Sequence, residues 1–440
     1  MQLMYSRCCG IDVHKDSITV CILVFNEQGE KQVRRKEFGT YWKELQRLKL
    51  WLYASKVSAV AMESTGIYWK PVWNVLRGHF PLLLANPYYV KTIPTDKTDP
   101  KDAAWIADLL AHGLIRASFV PPPEVEQWRD LTRYRAKLVG EYNRIHNRIH
   151  KVLEDANLKL DTVASDILGV TGRKIIEGII QGHHDPGWLA DKARSHLRKK
   201  RDQLRLVLRG QITDHHRYLL RELMDDLKRI EGKRLQIEQE IQRRMLAQQP
   251  LLARLVTIPG VDWVTAWTLI AELGTDMSVF PDADHAASWA GLVPGNHESG
   301  GKRQNTRTRK GNRWLRRALC QSAWAVAHKK NCYLTALFYR RARIHGMKKA
   351  IVAVAHQILI IAYHIIREGG VYQEKGGDFF DRLNPARTTK RLSQRLERLG
   401  YDVILKPRAA APSPPQLPKR PRGRPRKVLN TQVGDNVTDT

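Results

Sequence analysis

The stretch Cys9-Gly10-Ile11-Asp12-Val13-His14-Lys15-Asp16 is followed by alternating apolar positions through Ser17-Ile18-Thr19-Val20-Cys21-Ile22-Leu23-Val24. That pattern predicts a strand ending on a carboxylate, a tight turn and a second strand. From Arg7 to about Phe38 three strands are expected, with Asn26-Glu27-Gln28-Gly29 joining the second to the third, an antiparallel meander. The period then changes. Trp42, Leu45, Leu48 and Leu52 recur at helical spacing, which predicts a helix over Thr40 to Ala54 with Thr40 as its N-cap. A fourth strand, Val57 to Glu63, also ends on a carboxylate and is broken by Ser64-Thr65-Gly66. A helix from about Tyr68 to Gly78, a fifth strand from Pro81 to Ala85, and a helix opening at Asp99-Pro100 with Asp99 as N-cap complete this part. The sum is a mixed sheet with helices packed on it.

Pro121-Pro122-Pro123 marks a domain edge. Leu131, Tyr134, Leu138, Tyr142, Ile145, Ile149 and Val152 then describe one long amphipathic helix. A glycine-punctuated region of short helices follows. A second long helix is expected from about Leu189 to Ala247, with a seam of Leu204, Leu208, Leu219, Leu223, Ile230, Ile237 and Ile241. Two such helices suggest an antiparallel coiled-coil arm or a dimer seam, and dimerisation is the preferred reading. The run Arg198-Lys199-Lys200-Arg201 reads as a solvated face. Leu255 to Ala266 resembles a helix-hairpin-helix turn, but Asp262 stands where a second glycine belongs, and a carboxylate there repels phosphate. Closing helices are expected at Leu334–Phe338 and Ala350–Ile366, with Trp314 and Trp324 as core residues and base stacking as the alternative for both. Periodicity fades from about Gly369, apart from a short helix over Arg391 to Leu399.

Composition narrows the function. The formal charge is +30 and the pI is near 10, so a polyanion is the default partner. A membrane surface is the runner-up; the apolar run from Ala350 to Ile366 is shorter than the ~18 residues of a span and carries His356 and His364, so a buried helix is expected. No signal peptide is evident. The five cysteines have no zinc-ligand spacing and suit a reducing cytoplasm, and the expected localisation is cytoplasmic, associated with the nucleoid. No acidic residue occurs from Ser299 to Arg367, while Lys and Arg recur throughout, which describes a surface lying along a phosphate backbone. From Lys406 to Lys427 there are eight basic residues and no acidic ones, amid many prolines. A disordered tail is expected there. Within it Arg422-Gly423-Arg424-Pro425 looks like an AT-hook core; the competing reading is a non-specific electrostatic tail.

The candidate chemistry lies in four carboxylates. Asp12 ends one strand, Glu63 ends another, and Asp99 and Asp102 share the first turn of a helix. Taken singly, Asp12 suits a metal or a local partner such as a lysine or a backbone nest, and the Asp99/Asp102 pair suits helix capping. In a mixed sheet these places meet at one edge, where four carboxylates do not all stay ionised without divalent cations. Oxygen ligands suit Mg²⁺ or Mn²⁺, and a two-metal site serves in-line displacement at phosphorus. Asp16 and Asp96 are left as solvated turn residues.

Gly10-Ile11-Asp12-Val13-His14-Lys15, Met62-Glu63-Ser64-Thr65-Gly66 and Lys97-Thr98-Asp99-Pro100-Lys101-Asp102-Ala103 resemble the DEDD transposases of the insertion-sequence-one-hundred-ten family. The resemblance implies a RuvC-like domain of ribonuclease-H fold, with Asp12, Glu63, Asp99 and Asp102 as metal ligands. It extends to the Glu298-Ser299-Gly300 loop and to Gly311-Asn312-Arg313-Trp314-Leu315-Arg316-Arg317. There it implies that Ser299 attacks DNA and forms a phosphoserine link; taken alone, a serine before Gly-Gly is a turn former. It further implies a bridge RNA that chooses target and donor DNA. From the long helices and the composition, a homodimer or tetramer without membrane association is expected. Lys302, Arg303, Arg307, Arg309, Lys310, Arg313, Arg316 and Arg317 are candidates for nucleic-acid contacts, as are Arg422 and Arg424 of the tail.

The expected architecture is α/β plus α. Residues 1–120 form a RuvC-like domain, 121–250 a helical coiled-coil region, and 251–370 a mainly helical transposase domain carrying the serine and the helix-hairpin-helix-like element; 371–440 form the tail. The expected activity is metal-dependent cutting and rejoining of DNA. Two other classes stay open: a Holliday-junction-type nuclease using water, and a non-catalytic nucleic-acid-binding protein.

Overall fold

A computed structural model describes residues 3–64, 66–85, 99–115, 117–295, 297–299, 302–305 and 307–406; for 99–101, 297–299 and 302–305 it describes the backbone alone. Five strands form one sheet in the order β3-β2-β1-β4-β5. The meander is β1 (Arg7–Val13), β2 (Ser17–Phe25) and β3 (Lys31–Gly39), antiparallel throughout. β4 (Ala59–Glu63) lies parallel to β1, and β5 (Leu82–Ala85) parallel to β4. The mixed sheet expected from the sequence is therefore present.

The two faces of the sheet differ in side-chain size. One carries Ile11, Val13, Ile18, Val20, Val60 and Met62 beneath α1 (Trp42–Ala54) and α2 (Trp69–Leu76). The other carries Cys8, Cys21, Ala59 and Ala61 beneath α3 (Asp99–Ala111). Small residues let α3 lie almost on the sheet backbone: a Cβ on Gly10 would stand 2.1 Å from the carbonyl oxygen of Ala103. Ile106, Leu109 and Leu110 are buried as their spacing predicts. Two boundaries shift. Thr40 does not cap α1; its hydroxyl donates to the carbonyl of Lys15 at 3.2 Å, and Tyr41 stands at the cap without a side-chain bond. Asp99 is the first residue of α3, not the residue before it.

The first long helix is α4 (Pro123–Asp155). After α5 (Val170–Ile180), the expected second long helix is broken into α6 (Pro186–Ala190), α7 (Arg201–Val207) and α8 (Asp214–Arg244). The break has a packing cause. Gly210 lies against the chain after α4, where a Cβ would meet the Ala156 oxygen at 2.2 Å. Thr213 then restarts the helix through a capping box with His216. α4 and α8 run antiparallel, tied by Gln127 with Arg244, Arg135 with Glu238 and Asp155 with His216. The expected seam is present in part: Leu138, Ile145, Ile149, Leu204, Leu208 and Ile230 are in this core, with Tyr142 and Val152 packed against it. Leu138, Ile145, Ile149 and Leu153 pack with Leu220, Met224, Leu227 and Ile230, while Tyr134 is exposed and Leu223 and Ile237 sit at the margin. Arg198 to Arg201 are exposed.

The remaining elements of this unit are α9 (Gln249–Val256), α10 (Trp263–Leu273), α11 (Ala283–Trp289), β6 (His297–Ser299), β7 (Lys302–Asn305), α12 (Arg313–Val326), α13 (Tyr333–His345) and α14 (Met347–Glu368). The α9–α10 turn is spoken for within the fold. Asp262 caps α10 by accepting the Thr265 amide at 2.8 Å. A Cβ on Gly260, whose φ is +84°, would meet the Ser322 carbonyl at 2.5 Å. Trp324, expected in the core, is 42% exposed. α14 is longer than its apolar run and, by length and composition alone, long enough to cross a membrane; half of its most apolar window is buried, Ala350, Val354, Ile358 and Ala362 completely.

The chain divides after Gly377, with the described residues before it in one compact unit and the described residues 378–406 in a second. In the second, α15 (Phe379–Arg382) precedes α16 (Pro385–Glu397), which starts earlier than expected because Asn384 caps it, accepting the Arg387 amide at 3.0 Å. Arg422 and Arg424 lie outside the described residues, as does Asp96.

Candidate active site and nucleic-acid interface

The parallel register pairs Ile11 with Met62, so Asp12 and Glu63 follow side by side at the C-terminal ends of β1 and β4. Alternation does the rest. Ile11 and Met62 face α1 and α2, so Asp12 and Glu63 belong to the face that α3 covers. Asp102 stands in the first turn of α3, next to the buried Ala103, with Asp99 three residues earlier. Asp12 is buried and its carboxyl is raised above the usual range. Burial is the main cause. His14 opposes it, and the charges of Asp102 and Glu63 add to it. Those two carboxylates are thus near enough to be felt at Asp12.

The local partner of Asp12 is neither lysine nor backbone nest but His14, whose Nε2 is 3.1 Å from Asp12 Oδ2. His14 was legible only as a polar residue in the β1–β2 turn. Asp16 is exposed in that turn, as expected. A tighter group of possible ligands is elsewhere: His150, Glu154 and Asp161, whose ligand atoms all lie within 4.8 Å. Its closeness is explained by pairing, His150 with Asp161 at 3.2 Å and Glu154 with Lys159.

Ser299 ends β6 and pairs in register with Lys302 of β7; their side chains lie outside what is described. The base of this hairpin is well fixed. Pro294 bridges to Thr308, and the Gly295 amide donates to Arg307 at 2.9 Å. Gly311 presses on Gly291, where a Cβ would meet backbone nitrogen at 2.3 Å. Asn312 then caps α12, accepting the amides of Trp314 and Leu315 at 3.0 and 3.1 Å. Its Nδ2 donates to Glu272 at 2.6 Å.

Glu272 is completely buried on α10. It also accepts two bonds from Arg133 of α4, at 2.7 and 2.8 Å, and lies 3.2 Å from Arg129 Nε. One carboxylate thus joins the arm, α10 and the start of α12. A lone acid in the apolar run Trp267–Leu273 was a visible signal; its partners were not. Its partners Arg133 and Asn312 line a cleft of about 990 Å³. Its walls include Ala117 to Phe119, Val293 and Pro294 at the hairpin base, and Arg133, Arg309, Lys310, Arg313 and Trp314. Ala117 bridges to Ala85, which is Glu63's own register partner. The cleft therefore starts two residues across the sheet from a candidate carboxylate and ends at the stem of the serine hairpin.

Of the basic candidates, Arg307, Arg309, Lys310, Arg313 and Arg317 are exposed and Arg316 is half-buried. Lys302 and Arg303 lie on β7, described by backbone alone.

Comparison with known proteins decides the family. The family model for DEDD transposases of the IS110 type, described as "Transposase", matches residues 9–158, and the model "Transposase IS116/IS110/IS902 family" matches residues 252–340. The chain belongs to the IS110 family of DEDD transposases. Relatives of this transposase include an insertion element IS110 protein of Streptomyces coelicolor, 28% identical over 63% of this chain and 73% of the relative. The transposase for insertion sequence element IS1328 of Yersinia enterocolitica is 24% identical over 83% of this chain and 98% of its own length. The pilin gene-inverting protein of Moraxella bovis is 22% identical over 83% of this chain and 97% of that protein. Among solved structures, Thermus thermophilus RuvC aligns with 26% of this chain and 99% of its own, at 14% identity and a TM-score of 0.21. The activity of the family is that of a transposase, acting on DNA.

Proposed function

We propose that this transposase cuts and rejoins DNA through a metal-assisted attack by Ser299. The observation that supports it best is the meeting of Asp12 and Glu63 at adjacent strand ends beneath the first turn of α3, with Asp102 felt at Asp12. Three carboxylates, the buried Asp12 with Glu63 and Asp102 near it, fit Mg²⁺ or Mn²⁺, and Asp99 is one turn away to complete the set. Asp12, Glu63, Asp99 and Asp102 would hold the metal, which when bound supplies charge stabilisation at the scissile phosphate. His14 keeps Asp12 oriented.

In the proposed step the Ser299 oxygen forms a bond to phosphorus, and the bond from phosphorus to the departing strand's sugar oxygen breaks. The serine proton is lost and the leaving oxygen is protonated. The phosphoserine conserves the phosphodiester, so the reverse attack by a strand end rejoins DNA without a nucleotide triphosphate. Lys302, Arg303, Arg307, Arg309, Lys310, Arg313, Arg316 and Arg317 would hold the backbone, with Arg422 and Arg424 adding tail contacts. The same basic surface would accommodate a bridge RNA, and the α4–α8 arm would support a dimer or tetramer.

The test is direct. Incubate protein, Mg²⁺, RNA from the element's own transcript and end-labelled element DNA, then run a denaturing gel. A protein–DNA species that survives denaturation is expected for wild type and absent for Ser299→Ala and Asp102→Asn. Cutting by Ser299→Ala without an adduct would convert the reading to a water-using nuclease. Unchanged activity in Asp12→Asn would remove the carboxylate site altogether.

A further inference from the structure

Trp314 is oddly placed for a core tryptophan. Its ring lines the 990 Å³ cleft and also a second, smaller cavity on the Glu272 side. It is partly buried, and two guanidinium groups approach the ring, Arg313 at 4.9 Å and Arg133 at 5.9 Å from its centre. Phe119 and Trp289 add aromatic wall to the same cleft, and the two are themselves in edge contact at 6.2 Å. Arg309, Lys310 and Arg313 outnumber Asp284 there.

A partly accessible indole in a concave site, with arginines around it, suits a flat, electron-rich ring that carries a phosphate. The volume lies in the ~300–1,000 Å³ range of ligand pockets and is ample for a nucleotide. A base inside a duplex keeps both faces in its own stack, so it meets an indole only after leaving the helix. We propose that this cleft receives one unpaired nucleotide of a single-stranded nucleic acid, its base against Trp314 and its phosphate against Arg309 and Arg313. The site rests on the reading that this chain handles nucleic acid, and adds the form in which one nucleotide is held. Glu272 has a supporting part. By fixing Arg133 and Asn312 it holds the wall and the helix end that carry Trp314.

The source of the nucleotide, DNA or RNA, is separated by the arms of the test. Titrate full-length protein into 2-aminopurine-labelled single-stranded DNA, single-stranded RNA and duplex DNA, and follow fluorescence and affinity. Quenching with single strands and none with duplex is expected, and the better of the two single strands names the source. In Trp314→Ala the ratio of single-strand to duplex affinity falls about tenfold, while Trp314→Phe keeps most of it. An unchanged ratio in Trp314→Ala overturns the proposal. Should that variant fail to fold, 5-iodouridine cross-linking of wild type decides: a cross-link in the peptide holding Trp314 supports the site, and cross-links only elsewhere overturn it. Covalent adduct formation, measured on the same preparations, is independent. Adduct without stacking sinks only this site; stacking without adduct sinks only the serine chemistry.

Discussion

Asp12 shows what a single residue can and cannot disclose. Its place at the end of a buried strand makes an ionised carboxyl costly, and the structure adds Asp102 and Glu63 to the burden. The sign follows from the raised carboxyl. Folding gains from protonated Asp12 at a pH below the unfolded carboxylate range, and that gain is lost as pH rises through the folded value. Asp12→Asn should therefore raise metal-free stability near neutral pH by about 0.5–2 kcal/mol while abolishing strand cleavage, the usual exchange at an active site. Thermal melts with and without Mg²⁺ check it: the wild type should gain stability from the ion and the variant should not. Glu272 is a different case, decided by its partners. It is fully buried but satisfied by Arg129, Arg133 and Asn312. Glu272→Ala leaves two guanidinium groups without their counter-charge and should cost about 3–5 kcal/mol in denaturant titrations.

At the scale of elements, the decisive packing is that of α3 on β1. The helix carries two of the four candidate ligands, and its distance from the sheet is set by a glycine. A methyl group at position 10 would collide with the Ala103 carbonyl at 2.1 Å and the Ala107 amide at 2.4 Å. Gly10→Ala should therefore cost about 1–3 kcal/mol by overpacking. It should also weaken adduct formation in protein that is still folded, because Asp102 moves away from Asp12. A melt and an adduct gel on one preparation test both halves. The α7–α8 break has a related origin. Helical periodicity from Leu189 to Ala247 is real, yet Gly210 must turn against Ala156 and Thr213 begins a new cap. Thr213→Ala should cost about 1 kcal/mol in the same melt.

At the scale of the whole molecule, charge and compactness separate. The described residues up to Gly377 hold the sheet, the helix pair, the hairpin base and the cleft in one unit. A chain ending at Gly377 should melt within about 2 °C of the full protein, a difference of about 1.6 kcal/mol at most at the midpoint. Without the eight basic residues between Lys406 and Lys427, its DNA affinity should fall less steeply with salt, by ~0.9 in slope for each phosphate that the tail neutralises in the full chain. Equal slopes for the two chains, measured by anisotropy across a salt series, would show that the tail neutralises no phosphates.

The strands of the sheet were written in local pattern. Alternation around Ile11 and Ile18 and the carboxylates closing β1 and β4 were visible because strand period and breakers act within a few residues. So was the basic character of the region after Ser299, since charge is a property of composition. What the chain alone did not specify were encounters between distant segments. His14 at Asp12, Glu272 between two arginines and an asparagine, Trp324 turned outward, and the opening beside Trp314 all depend on which helix lies over which. Local sequence sets the period of each element; only packing chooses the neighbours, because a buried polar group accepts whatever partner the fold brings within reach.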